Sequence, residues 1–244
     1  MTVQRPDPER DAAAAQEATA ELLAAVAALP ASAFTEPSLL PGWTRGHVLT
    51  HLARNADGLA NLLTWARTGV ETPMYADPAE RDKAIEAGAD RAQAEHLEDL
   101  HTSADRLAEE VDRMPPAAWA AQVSLRSGRV IAAAEIPWRR LAELRLHHVD
   151  LGIGYGCADL PDDFAARELA WLLDDLTAHE GIAAVRLHDT GSGQKWTLGA
   201  ATEPDLTVTG SRHALLAWVS GRSKGEDLSV NPEEAPLPAL PPLG

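Results

Sequence analysis

The stretch Leu141-Ala142-Glu143-Leu144-Arg145-Leu146-His147 puts a carboxylate and an imidazole four positions apart inside an otherwise apolar run. On an α-helix such residues project only about 40° from one another, so both side chains reach toward the same point. Far upstream, His51 in Leu49-Thr50-His51-Leu52 shares a helical face with Val48, Gly58 and Leu62. An inward-facing imidazole without a partner is costly to bury, and an inward-facing carboxylate must find a cation or change its proton affinity. A zinc ion held by His51, Glu143 and His147 satisfies all three groups. Two imidazoles and one carboxylate leave the fourth tetrahedral position open, as in catalytic zinc sites. The same spacing also suits a solvated Glu–His pair on a helix surface, worth a few tenths of a kcal/mol. The metal reading constrains the fold strongly, because it requires at least two helices to pack with these faces together.

The rest of the chain fits a protein built around such a centre. Its 244 residues are enough for one large or two modest domains. No run approaches the eighteen or so apolar residues of a membrane helix, and the first residues lack the apolar core of a signal peptide. A cytoplasmic location is expected. A single cysteine, Cys157, rules out an internal disulfide framework and a cysteine-based structural zinc site. The formal charge of −16 argues against nucleic acid as a partner, since phosphate binding needs clustered cations.

Helical spacing of Leu22, Leu23, Val26 and Leu29 predicts a first helix over 8–29, stopped by Pro30. Thr44 is placed to cap a second helix running to Thr68, with Gly69 as its stop. A polar helical region over 78–113 carries a stripe of Leu97, Leu100, Leu107 and Val111 and ends at Pro115-Pro116. Residues 121–134 read as irregular or weakly extended. A fourth helix follows from Pro137 to Asp150. These four helices describe a bundle whose interior can house a metal. Gly152-Ile153-Gly154-Tyr155-Gly156 only superficially resembles a nucleotide-binding loop, because no strand precedes it and no helix opens from it. After Pro161 the pattern changes to a helix over 162–179, short extended segments at 182–188, 195–198 and 206–208, and a last helix over 211–220. A Pro-rich tail covers 235–244. The expected domains are a metal-binding bundle over 1–157 and a small α/β domain over 158–244.

At the motif level, Leu40-Pro41-Gly42-Trp43-Thr44-Arg45, His47-Val48-Leu49-Thr50-His51-Leu52 and Glu143 with His147 resemble the DinB-like metal-dependent bundle proteins. More narrowly, the chain resembles the mycothiol-dependent maleylpyruvate isomerases. Residues 65–75, Val149-Asp150-Leu151-Gly152 and Gly221-Arg222 add to that likeness, which extends over essentially the whole chain. The resemblance implies that His51, Glu143 and His147 bind zinc, that mycothiol serves as a thiol coenzyme, and that Arg222 reaches an acidic substrate. His47, four residues before His51, is open either as an alternative ligand or as a partner of one. His148 points about 140° away from Glu143 on the helix and is left out of the site.

With Cys157 read as a small filler, the chain has no nucleophile of its own, and a low-molecular-weight thiol would supply it. A sulfur on the metal is held as thiolate at neutral pH. Addition to the cis double bond of maleylpyruvate, rotation and expulsion of the thiol would give fumarylpyruvate. The substrate is a dianion, so cations must hold it. Arg222 is the first candidate, its alternative role being to complement the end of the last helix. Arg81 is a second carboxylate clamp or else a surface partner of Glu80 or Asp82, and Tyr75 either donates to the enolate oxygen or packs its loop. Two competing functions share these residues: a mycothiol S-transferase that leaves the thiol on its electrophile, and a non-catalytic metal-binding regulatory module.

Overall fold

Asp7 accepts a hydrogen bond from the Arg10 amide and Pro8 occupies the first turn of helix α1 (Pro8–Ala27), whose Ala15, Ala18, Leu22 and Val26 are buried along one stripe. Helix α2 (Arg45–Thr68) opens on a reciprocal cap in which Thr44 Oγ1 takes the His47 amide and His47 Nδ1 takes the Thr44 amide. It closes at Gly69, whose φ of 72° is the left-handed conformation a helix stop requires. The computed structural model describes residues 6–177, 181–199, 204–233 and 235–241, without the Pro78 side chain.

The single helical region expected over 78–113 is two helices, α3 (Pro78–Gly88) and α4 (Gln93–Asp112). The break is a packing requirement. Gly46 lies so close to the Ala89 carbonyl that a Cβ there would sit 2.0 Å from the oxygen, and a Cβ on Gly88 would sit 2.5 Å from Thr50 Cγ2. The end of α3 therefore presses on the first turns of α2. The chain restarts at Ala92, whose amide is taken by Glu95 Oε2 at 2.9 Å. Residues 121–134, expected to be irregular or weakly extended, are extended in part and pair. They form a hairpin of β1 (Gln122–Ser124) and β2 (Val130–Ala132), antiparallel with Val123 opposite Ile131. Both residues are buried in a cluster with Leu59, Leu63 and Leu107, a burial that two short strands did not signal.

Helix α5 (Ile136–Asp150) completes the bundle, with Pro137 in its first turn. α1 packs against α4 and α5, and α2 packs against the same two, so a four-helix ring surrounds a core of Leu22, Leu49, Leu52, Leu62 and Leu144. Arg140 of α5 donates Nη1 to the Leu52 carbonyl at 2.7 Å and to Asn55 Oδ1 at 2.9 Å, which sets the register of α5 against α2.

The chain divides into two compact units between Gly154 and Tyr155. The second contains α6 (Asp162–Thr177), β3 (Val185–Asp189), β4 (Lys195–Leu198), β5 (Leu206–Gly210), α7 (Arg212–Val219) and β6 (Ser229–Asn231). Its sheet runs β4-β3-β5-β6, with β3 and β5 parallel and the outer pairs antiparallel. α6 packs on β4 and α7 on β3 and β5, over buried Val185, Leu187, Trp196, Leu198 and Val208. β6 is an addition to the expected strands, and β3 begins three residues later than the apolar run suggests. Residues 178–179 of the expected helix and 242–244 of the tail lie outside the described residues.

Candidate metal centre

α2 delivers His51 and α5 delivers Glu143 and His147 to one point. His51 Nε2 is 3.0 Å from Glu143 Oε2 and 3.0 Å from His147 Nε2, and His147 Nε2 is 3.2 Å from Glu143 Oε2. Metal–ligand bonds of about 2.0–2.1 Å in tetrahedral array set donors roughly 3.3 Å apart, so the three atoms are spaced for one ion. Among the described residues this is the cluster whose ligand atoms all fall within 4.8 Å of one another. Two imidazole nitrogens and a carboxylate oxygen suit zinc, and they also suit other divalent transition ions.

Burial and the contacts within the cluster set its electrostatics. Burial pushes the Glu143 carboxyl up, but hydrogen bonds from His147 and His51 outweigh it and hold the group well below the ordinary carboxylate range. Burial pulls His51 down. At His147, the pull of burial is overcome by Asp150 and Glu143, which raise it. Asp150 Oδ2 stands 2.8 Å from His147 Nδ1, and this carboxylate directs Nε2 toward the cluster. Sequence reasoning assigned Asp150 no role, although its place three residues after His147 on one helix was the available signal.

Trp43 is a second residue without an earlier role. Its ring lies 5.7 Å from that of His51 and 6.1 Å from that of His47. His47 is outside the cluster: Nδ1 serves the α2 cap and Nε2 stands 3.3 Å from Glu86. His148 is buried apart from the cluster, where burial and Arg145 lower its proton affinity.

Arg81, brought over α2 by the close packing of α3, places Nη2 3.0 Å from His51 Nδ1 and Nη1 2.7 Å from Asp82 Oδ1. A guanidinium only donates, so Nδ1 accepts and the proton of a neutral imidazole sits on Nε2. Ligation through Nε2 needs the other tautomer, with Nδ1 protonated and Arg81 without its acceptor. Tyr75 belongs to the same neighbourhood. Its hydroxyl is 3.5 Å from the Arg54 carbonyl, burial raises its proton affinity, and the charge of nearby Arg81 opposes that rise. Asn61 donates to the carbonyls of Pro73 and Met74, and Gly58 leaves room for Met74, where a Cβ would meet its side chain at 3.2 Å. Arg222 lies in the second unit just past α7, with Nη1 donating to the Ser220 carbonyl at 3.0 Å. Cys157 is partly buried in a single 3-10 turn.

Comparison with known proteins adds a family to this geometry. The profile of the "Mycothiol maleylpyruvate isomerase N-terminal domain" family matches residues 15–152. The chain belongs to this family. Two solved structures superpose on it with a TM-score of 0.88, each covering 96% of both chains: a mycothiol-dependent maleylpyruvate isomerase at 29% identity and a histidine-to-alanine mutant of that isomerase at 28%. None of the curated proteins compared matches the chain by sequence. The solved relatives are isomerase enzymes, and the chain shares their architecture of a DinB-like bundle followed by a smaller α/β region. No described helix is long and apolar enough to cross a membrane.

Proposed function

We propose that the chain catalyses the mycothiol-dependent cis–trans isomerisation of maleylpyruvate to fumarylpyruvate, with zinc or a similar divalent ion held by His51, Glu143 and His147. The observation that carries this reading is the convergence of those three donors from two helices, with Arg81 beside His51. Membership of the isomerase family supports it. A metal bound there supplies the Lewis acidity that keeps a low-molecular-weight thiol as thiolate, the nucleophile that adds to the cis double bond and leaves after rotation.

The chain's own residues perform the remaining tasks. Asp150 fixes the His147 tautomer so that Nε2 faces the cluster. Once His51 carries its proton on Nδ1, Arg81 has no acceptor there and turns Nη2 to a substrate carboxylate, a charge-assisted contact. Tyr75, kept as a neutral phenol by burial, can donate to an oxygen that gains negative charge. Arg222 is the candidate for the second carboxylate that the resemblance to the isomerases offers. The partners are thus a dianionic small molecule and a thiol, and a cytoplasmic setting accompanies them.

The test is to measure bound metal and isomerisation of maleylpyruvate, with and without mycothiol, for the wild-type chain and His51→Ala. Loss of both metal and activity in the variant is the expected result, and activity lost with metal fully retained contradicts the assignment. Free thiol measured before and after turnover separates isomerisation from S-transfer, since only the former returns it.

A further inference from the structure

The two histidines of the cluster differ in what holds their rings. His147 Nδ1 faces the Asp150 carboxylate, an acceptor that suits ligation through Nε2. His51 Nδ1 instead faces Arg81, a donor that such ligation displaces. Once that contact is given up, packing must orient the ring, and Trp43 supplies packing. Its half-buried indole lies 5.7 Å from the His51 ring at a tilt of 58°, while His147 meets the same ring edge-on at 4.7 Å. Both separations are ordinary for paired rings. The indole is itself held in place. Pro41 and Gly42 form a turn in which the Trp43 amide donates to the Leu40 carbonyl at 3.1 Å and Gly42 takes a φ of 79°. The Ser38 amide and hydroxyl both donate to the Trp43 carbonyl, at 2.9 and 2.8 Å. This turn is tied to the end of α5, where the Leu39 amide donates to the Asp150 carbonyl at 2.8 Å and Arg45 Nε to the Leu151 carbonyl at 2.7 Å. On α2, the indole lies within 24° of parallel to the His47 ring, which the Thr44 cap fixes.

We propose that Trp43 is a positioning residue of the metal centre: its indole, anchored to both helices that carry ligands, keeps His51 Nε2 aimed at Glu143 and His147 when the Arg81 contact is broken. This role presupposes the metal proposed for the cluster. It adds that the two histidines are oriented by unlike devices, His147 by a buried carboxylate and His51 by an aromatic face, and that position 43 therefore requires a flat ring and not apolar bulk alone.

The test is zinc affinity, measured by competition with a chromophoric chelator, for the wild type and for Trp43→Phe, Trp43→Leu and Trp43→Ala. Circular dichroism verifies that each variant is folded, and either the Leu or the Ala variant alone suffices beside Phe. Binding is read on folded protein, so a variant that is merely less stable keeps its affinity. Affinity roughly tenfold or more lower in the Leu or Ala variant is expected, with Phe, which keeps a ring, within about threefold of the wild type. Wild-type affinity in a folded Leu or Ala variant would overturn the proposal, and so would a loss in Phe equal to that in Leu. A wild-type chain that binds no zinc would sink the metal reading and this role together, an outcome distinct from either of the other two.

Discussion

His147 Nδ1 and Asp150 Oδ2 stand 2.8 Å apart on one helix, with Asp150 almost fully buried, so one histidine of the cluster is held in orientation by a carboxylate that never reaches the cluster itself. Asp150→Ala should therefore weaken metal binding by about 10–100-fold while the bundle stays folded. Competition with a chromophoric chelator measures this. An unchanged affinity would show that packing alone orients His147.

Arg81 Nη2 meets His51 Nδ1 at 3.0 Å, and the proposed function has it exchange that acceptor for a substrate carboxylate. For Arg81→Met the metal should remain, and KM for maleylpyruvate should rise by about tenfold or more, the equivalent of one charge-assisted hydrogen bond. Steady-state kinetics with metal content measured on the same sample decide it. A KM equal to that of the wild type removes Arg81 from substrate binding.

Arg222 donates to the carbonyl at the end of α7, a contact that could be purely structural. The functional reading predicts that Arg222→Ala keeps its metal and loses turnover with the dianionic substrate, with little change in thermal midpoint. A lowered midpoint with normal turnover would assign the residue to the helix end.

Glu110 is buried on α4 and receives Arg67 Nη2 at 2.9 Å and Arg113 Nη1 at 2.8 Å. Burial favours its neutral form, but the two guanidinium groups outweigh burial and lower its proton affinity. A carboxyl depressed in the folded state contributes stability that is complete above its unfolded value of about 4.3 and fades as pH falls toward the folded value. Glu110→Gln should thus cost about 1–3 kcal/mol at pH 7, with the gap to wild type narrowing below pH ~4.5. Urea denaturation across this range tests the sign, and a gap that widens in acid would refute it.

The contact between Gly46 and the Ala89 carbonyl leaves no room for a methyl group. Gly46→Ala should destabilise the bundle by about 1–3 kcal/mol through overpacking and displace α3, and with it Arg81. Chemical denaturation reads the first effect. Preserved stability would mean that α3 moves away at no cost.

The legible parts of the chain are those whose physics is local. Glu143 and His147 announce themselves because 3.6-residue periodicity puts positions four apart on one face, and Thr44 and Gly69 mark the ends of α2 because caps and left-handed turns admit few residue types. The hairpin over 122–132 was less legible, since each strand is three residues long and its burial comes from α2 and α4 rather than from its own alternation. The break in 78–113 was hidden for a similar reason, because the end of α3 meets Gly46 and Thr50 on a different helix.

Chain chemistry alone thus singled out His51, Glu143 and His147, the bundle, and the approximate ends of α1, α2 and α5. It did not specify that Arg81 would meet His51 across thirty positions, that Trp43 would lie against the same ring, or that Arg140 would lock α5 to α2. Those relations depend on how closely whole helices approach one another, a quantity set by the summed packing of small side chains at their crossings and not encoded in any one residue's conformational preference.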